Sequence, residues 1–111
     1  MFVQSLEALR RSETAALFQG EAAGEVPVSM FVTEYPNGRG PDLHLHPYAE
    51  VFLVQAGRAE FRAGDERREV AAGHVVVVPA ETPHGFKNRH DDLLRVVSVH
   101  PSPRVVQTDL E

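Results

Sequence analysis

The stretch GRGPDLHLHPYAEVFLVQAG, residues 38 to 57, sets two histidines one residue apart, a proline directly after the second, and a glutamate four positions beyond it. On a helix, His44 and His46 project about 200° apart by the 3.6-residue period, and Pro47 breaks the turn that carries them. On a strand, residues i and i+2 share a face, so both imidazoles reach one point. After a bend at Pro47, Glu50 returns to that point from the next strand. Two neutral imidazoles and a carboxylate suit a borderline first-row metal, whereas an all-oxygen set suits magnesium or calcium.

Outward from this stretch, Gly and Pro punctuate the chain at short intervals, from Gly20 through Pro36 and Gly57 to Gly85. Between them lie VPVSMFVTEY (26–35), EVFLVQ (50–55), AEFRA (59–63), HVVVVP (74–79) and LLRVVSVH (93–100). Short strands joined by turns fit this punctuation and long helices do not. Arg58, Glu60 and Arg62 alternate with Ala59, Phe61 and Ala63, the period-two pattern of a strand with one wet face, and AGDE (63–66) reads as its hairpin turn. The charge run DERRE (65–69) is the wet face of that hairpin. His74 to Val78 is apolar on consecutive positions, as in a strand covered on both faces by a second sheet or a partner subunit. Residues 5 to 18 carry the one helical pattern, Leu6, Leu9, Ala16 and Leu17, interrupted by Glu13. About ten short strands must close or stack to hide their edges, so the expected fold is all-β, a barrel or sandwich of jelly-roll type.

A fourth candidate ligand stands in GHVVVVPAETPHGFKN (73–88), where His84 follows Pro83 after a turn. Together the two stretches resemble the paired motifs of the cupin superfamily. The first motif, G(X)5HXH(X)3E(X)6G, is met by Gly38, His44, His46, Glu50 and Gly57. The second, G(X)5PXG(X)2H(X)3N, is met by Gly73, Pro79, His84 and Asn88, with Glu81 in place of the family's glycine. That departure bears on the local turn, because a non-glycine residue with positive φ is uncommon. The resemblance implies a small jelly-roll barrel (double-stranded β-helix) spanning residues 1–111 as one domain. It implies that His44, His46, Glu50 and His84 ligate one divalent first-row transition metal, be it Fe, Mn, Ni, Co, Cu or Zn. One-domain cupins are commonly dimers, so a homodimer is expected.

Of the 111 residues, 42% are hydrophobic and 24% charged, ordinary globular composition with room for one core. The net charge of -5 disfavours nucleic acid and anionic lipid, which call for a basic footprint, and leaves a small molecule or metal as the expected partner. With no cysteine, thiolate metal sites, disulfides and cysteine nucleophiles are excluded. The N-terminus lacks the apolar stretch of a secretory signal, and no run is long enough to span a bilayer, so a cytoplasmic protein is expected.

Glu50 reads first as a ligand and second as a general base, since apolar neighbours such as Phe52 and Val54 are expected to raise its pKa. Phe52, Ser98 and His100 are the candidate substrate-pocket residues. In LLRVVSVH, Leu94, Val96, Ser98 and His100 oppose Arg95 by alternation, so His100 either lines the barrel or sits at the surface before Pro101. Tyr35 and Tyr48 either line the pocket mouth or are exposed loop tyrosines. His74 and His90 read as solvent-exposed, and Asn88 as a structural hydrogen-bonding residue. Two functions fit. One is a metal-dependent dioxygenase or lyase/isomerase acting on a small oxygen-rich molecule, with Glu50 shuttling a proton. The other is a non-catalytic module that binds or senses a small ligand or metal at the same site.

Overall fold

The computed structural model describes residues 1–111. Ten strands follow one another as β1 (Ala15–Gln19), β2 (Ser29–Tyr35), β3 (His44–Leu45), β4 (Glu50–Ala56), β5 (Arg58–Ala63), β6 (Glu66–Ala71), β7 (Val75–Val78), β8 (His84–Lys87), β9 (Leu94–His100) and β10 (Thr108–Asp109). A short 3-10 turn, Gly20–Ala23, is the sole helical element. The strands pair antiparallel in two five-stranded sheets, ordered β1-β2-β9-β4-β7 and β10-β3-β8-β5-β6. This is an all-β jelly roll.

The alternation read in the sequence decides which side chains meet between the sheets. Along β9 every second residue, Leu94, Val96, Ser98 and His100, is buried, and along β4 the same holds for Glu50, Phe52 and Val54. Pairing of Phe52 with Ser98 and of Val54 with Val96 brings these inward faces into register. Ala59 and Phe61 of β5 and Phe86 of β8 face them from the other sheet and complete the apolar core. The three phenylalanine rings touch in pairs at centroid distances of 4.9 to 5.9 Å. Burial of each contributes roughly 1.5–3 kcal/mol.

Three strands change character along their length. β4 runs from Val54 and Phe52 in the core to Glu50, β9 from Leu94 and Val96 to Ser98 and His100, and β8 from Phe86 to His84. Apolar packing fills one end of the barrel, and buried polar side chains converge at the other. Gly85 lets the chain close there: a Cβ at this position would lie 2.8 Å from the Pro41 carbonyl oxygen. That close backbone approach accompanies the pairing of His44 with His84. At the far end Gly57 takes φ +76°, and a Cβ there would lie 2.6 Å from the Leu93 carbonyl oxygen as β4 turns into β5.

The hairpin turn falls at Gly64 and Asp65, between the paired Ala63 and Glu66. Residues 5 to 18 do not form a helix. The pattern at Leu6 and Leu9 yields a single turn, closed by the Leu9 N–H on the Leu6 carbonyl at 3.0 Å. Ala16 and Leu17 belong instead to β1, where pairing with Val32 and Phe31 of β2 overrides the helical spacing. The run His74 to Val78 is covered on one face only. Val78 is buried, whereas Val75 and Val77 are 63% and 60% exposed.

Glu81 stands at φ +59°, so the turn keeps its left-handed backbone without the glycine. For an L-residue with a Cβ this conformation costs about 1–2 kcal/mol. Glycine there would lose about 0.4–1 kcal/mol through its freer unfolded chain. Glu81→Gly is therefore expected to stabilise the protein by about 1 kcal/mol or less, read as a higher urea midpoint at unchanged m-value.

Candidate metal centre

His44 opens β3 and His46 follows directly after it, Glu50 opens β4 and His84 opens β8, so four separate backbone positions aim at one point. Their donor atoms all lie within 4.8 Å of one another, and all four side chains are buried. Each histidine is oriented from behind by a backbone carbonyl that accepts its Nδ1–H. The acceptors are Asp42 for His44 (2.6 Å), Val106 for His46 (2.7 Å) and Thr82 for His84 (2.8 Å). In a neutral imidazole this leaves Nε2 as a bare lone pair. Three such lone pairs and a carboxylate face inward together.

Glu50 Oε1 lies 3.0 Å from both His46 Nε2 and His84 Nε2. Despite that distance, His46 Nε2 is a buried atom with no hydrogen-bond partner. Acceptors this close repel unless a proton or a cation stands among them. An N3O donor set with an orphaned nitrogen fits a first-row divalent ion, which prefers imidazole and carboxylate.

The electrostatics follow from burial and proximity. Burial drives the His44 pKa down, with the neighbouring histidines adding to the effect. For His46, burial pulls the same way, but the Glu50 carboxylate and the Val106 carbonyl outweigh it and the pKa rises. Glu50 reverses the sequence expectation. Burial does push its pKa up, but the imidazoles of His100, His46 and His84 around it prevail and hold the carboxyl well below the usual range. The apolar wall of Phe52 is real, and the histidines overrule it.

Beside the cluster lies a cavity of about 160 Å³, lined by His44, His46, Glu50, Phe52, Ser98 and His100 among others. Of the two readings of His100, burial favours the inward one. Its Nε2 is 3.0 Å from Glu50 Oε2. Tyr48 is not a free loop residue: its ring stacks on His46 at 5.2 Å and its hydroxyl lies 2.7 Å from His100 Nδ1. Tyr35 is half-buried, meets Phe86 edge-on and lines the cavity. His74 is exposed, while His90 is partly covered and pairs with Glu69 at 3.0 Å. Asn88 is buried and binds the backbone of Tyr35, Asp92 and His90. A wider cleft of about 450 Å³ runs between β6 and β7, away from the four donors.

Sequence reasoning missed Phe31, Gln107 and the backbone of Val106. Phe31 and Gln107 line the cavity, and Val106 braces His46 and Tyr48. Phe31 carried a detectable signal, since alternation along β2 sets it on the inner face. Val106 and Gln107 lie in an irregular segment without periodicity.

Two antiparallel sheets with this donor set at one end define a jelly-roll barrel of the metal-binding type. The Cupin domain model matches residues 30–100, and the chain belongs to that family. It is 33% identical over 101 residues to an uncharacterised protein of Streptomyces coelicolor, covering 91% of this chain and 93% of that protein. A Klebsiella pneumoniae protein with a double-stranded β-helix domain superposes with a TM-score of 0.75 at 18% identity, over 96% of this chain and 88% of the other. Bacillus subtilis oxalate decarboxylase superposes at 0.81 with 19% identity, over 95% of this chain. The chain spans 30% of that enzyme's length, and the likeness is one of fold. No helix is long and apolar enough to cross a membrane.

About one divalent first-row ion per chain is the expected content, lost in His46→Ala or His84→Ala, by elemental analysis of protein purified without a histidine tag. Imidazole binds metal only when neutral, so occupancy should fall as pH drops below about 6. His46, with its raised pKa, protonates ahead of His44, whose pKa is lowered. Metal retained in full at pH values around 4 would contradict histidine ligation.

Proposed function

We propose that this cupin is a metal-dependent enzyme of the dioxygenase or lyase/isomerase type, acting on a small oxygen-rich molecule that binds as a monoanion. The supporting observation is the pairing of the N3O donor set with a cavity that neither lysine nor arginine lines. A divalent ion held by His44, His46, Glu50 and His84 would supply a Lewis acid and a template for a chelating oxygen donor. Three neutral imidazoles and one carboxylate leave such an ion one positive charge. An enolate or phenolate balances it, whereas a dianion strands charge among Phe31, Phe52 and Phe86. The cavity holds roughly five waters' volume at about 30 Å³ each, enough for the reacting end of a catechol, flavonol or β-diketone. Glu50, held ionised, is the group placed to take the substrate's proton and pass it on, which restores the carboxylate.

One observation favours the second reading, a binding or sensing module that does not turn its ligand over. A general base works best with a pKa near the operating pH, and the histidines hold Glu50 well below it. Glu50→Gln separates the two. With metal content matched, the variant should still bind a catechol or β-diketone anaerobically, seen as a change in the metal's spectrum. Turnover should fall by about 10²-fold or more. Oxygen uptake, isomerisation and bond cleavage absent across a broad panel would leave the binding module standing.

The proposed macromolecular partner is a second copy of this chain. Phe2, Leu6 and Leu9 lie against the outer face of β1 and β2, whereas Val51, Leu53, Val75 and Val77 on the outer face of β4 and β7 are bare. An uncharged, apolar face can pack against its own copy about a two-fold axis. Light scattering should give a dimer mass that Val77→Glu reduces to a monomer. A monomeric wild type across micromolar concentrations would contradict this.

A further inference from the structure

His100 is the histidine that the donor cluster leaves over. Its imidazole is set the opposite way from the other three. The Tyr48 hydroxyl accepts the Val106 N–H at 3.2 Å, so its own proton is free to be donated to His100 Nδ1 at 2.7 Å. Nδ1 is then an acceptor, and the ring proton sits on Nε2. That nitrogen lies 3.0 Å from Glu50 Oε2 and 3.5 Å from Ser98 Oγ, so its proton sits between the carboxylate and the hydroxyl. His46 Nε2 has no hydrogen-bond partner and His84 Nε2 meets Glu50 Oε1 at 3.0 Å, whereas His100, with Nδ1 accepting from Tyr48, carries its proton on Nε2.

The two oxygens of Glu50 are thereby sorted. Oε1 faces His46 and His84 inside the cluster, and Oε2 is turned away and held by His100. The clamp is itself braced, since His100 packs edge-on against Phe31 at 5.6 Å and against His46 at 4.7 Å. The parallel stack of Tyr48 on His46 ties the clamp to a donor of the cluster.

We propose that His100, its tautomer set by Tyr48, is a positioning residue that restricts Glu50 to one coordinating oxygen and so reserves two positions for a chelating ligand. The inference rests on the metal-binding reading above. In a six-coordinate ion, four protein donor atoms leave two positions open. Freeing Oε2 makes Glu50 a two-oxygen donor and leaves one.

The test uses full-length protein loaded with Co(II) without air, and acetylacetone as the chelating probe. His100→Leu removes the proton donor. It should still bind about one Co(II), with an altered visible spectrum and acetylacetone affinity reduced by about 10-fold or more, the usual scale for a residue that orients a ligand. His100→Gln, whose amide N–H can replace the donor, should restore spectrum and affinity. Tyr48→Phe keeps the ring on His46 but frees the tautomer, and should shift the spectrum in the same direction as His100→Leu. Should His100→Leu not fold, Tyr48→Phe decides alone. Wild-type spectra and affinities in the folded variants would overturn the clamp, as would a His100→Gln protein as perturbed as His100→Leu. A wild type that takes up no Co(II) would overturn both this inference and the metal reading. One that loads and chelates normally beside unperturbed variants overturns the clamp alone.

Discussion

A carboxylate only 3% exposed sets the terms for the rest of this structure. An ionised side chain withdrawn from water costs several kcal/mol unless partners replace the lost solvation. Glu50 obtains those partners from three strands and a loop: His46 near β3, His84 on β8 and His100 on β9, with Tyr48 behind the last. None of these groups is close to Glu50 in an unfolded chain except His46 and Tyr48. The site is therefore a product of the fold, and Ser98 and His100, which face inward on a core strand, are there to meet it.

The barrel accommodates this by segregation along its axis. Leu94, Val96, Phe52, Val54 and Phe86 supply the burial that holds the sheets together, and the same strands carry Ser98, His100, Glu50 and His84 beyond them. Because side chains on one strand face recur every second residue, a polar position two residues from a core position shares its inward direction. Polar groups gather at one end without interrupting the apolar packing at the other. Phe52 belongs to both regions: it packs on Phe61 and Phe86 and meets His84 edge-on at 5.9 Å.

What the sequence disclosed follows the same division. Alternation in LLRVVSVH correctly set Ser98 and His100 on the face of Leu94 and Val96, and the spacing of His44, His46, Glu50 and His84 marked the four donors that the fold assembles. The first signal is periodic, and the second is carried by two short stretches, residues 38 to 57 and 73 to 88. Tyr48 carried none, because its importance lies in a contact with His100, fifty-two positions away. Val106 works through its backbone N–H and carbonyl, which every residue but proline possesses, so no side-chain pattern could single it out. The Glu50 pKa was misjudged for a related reason. Its apolar neighbours are adjacent in sequence, whereas two of the three imidazoles that outweigh them arrive from distant strands. At residues 5 to 18, Leu6 and Leu9 form a single turn, and pairing of β1 with β2 overrode the helical spacing that Ala16 and Leu17 carried.

Glu81 shows why a departure from the family pattern leaves the donors in place. The turn needs a left-handed backbone, and glutamate supplies it at φ +59° with its side chain exposed. What the turn contributes to the site is a backbone group: the Glu81 N–H donates to the His46 carbonyl at 2.8 Å. That bond ties the loop preceding His84 to the segment that carries His46, so the two motif stretches are joined through main-chain atoms. Any residue that adopts the conformation makes the same bond. The strain falls on the turn, three residues before His84, and the Thr82 carbonyl that orients His84 stays where the imidazole can use it.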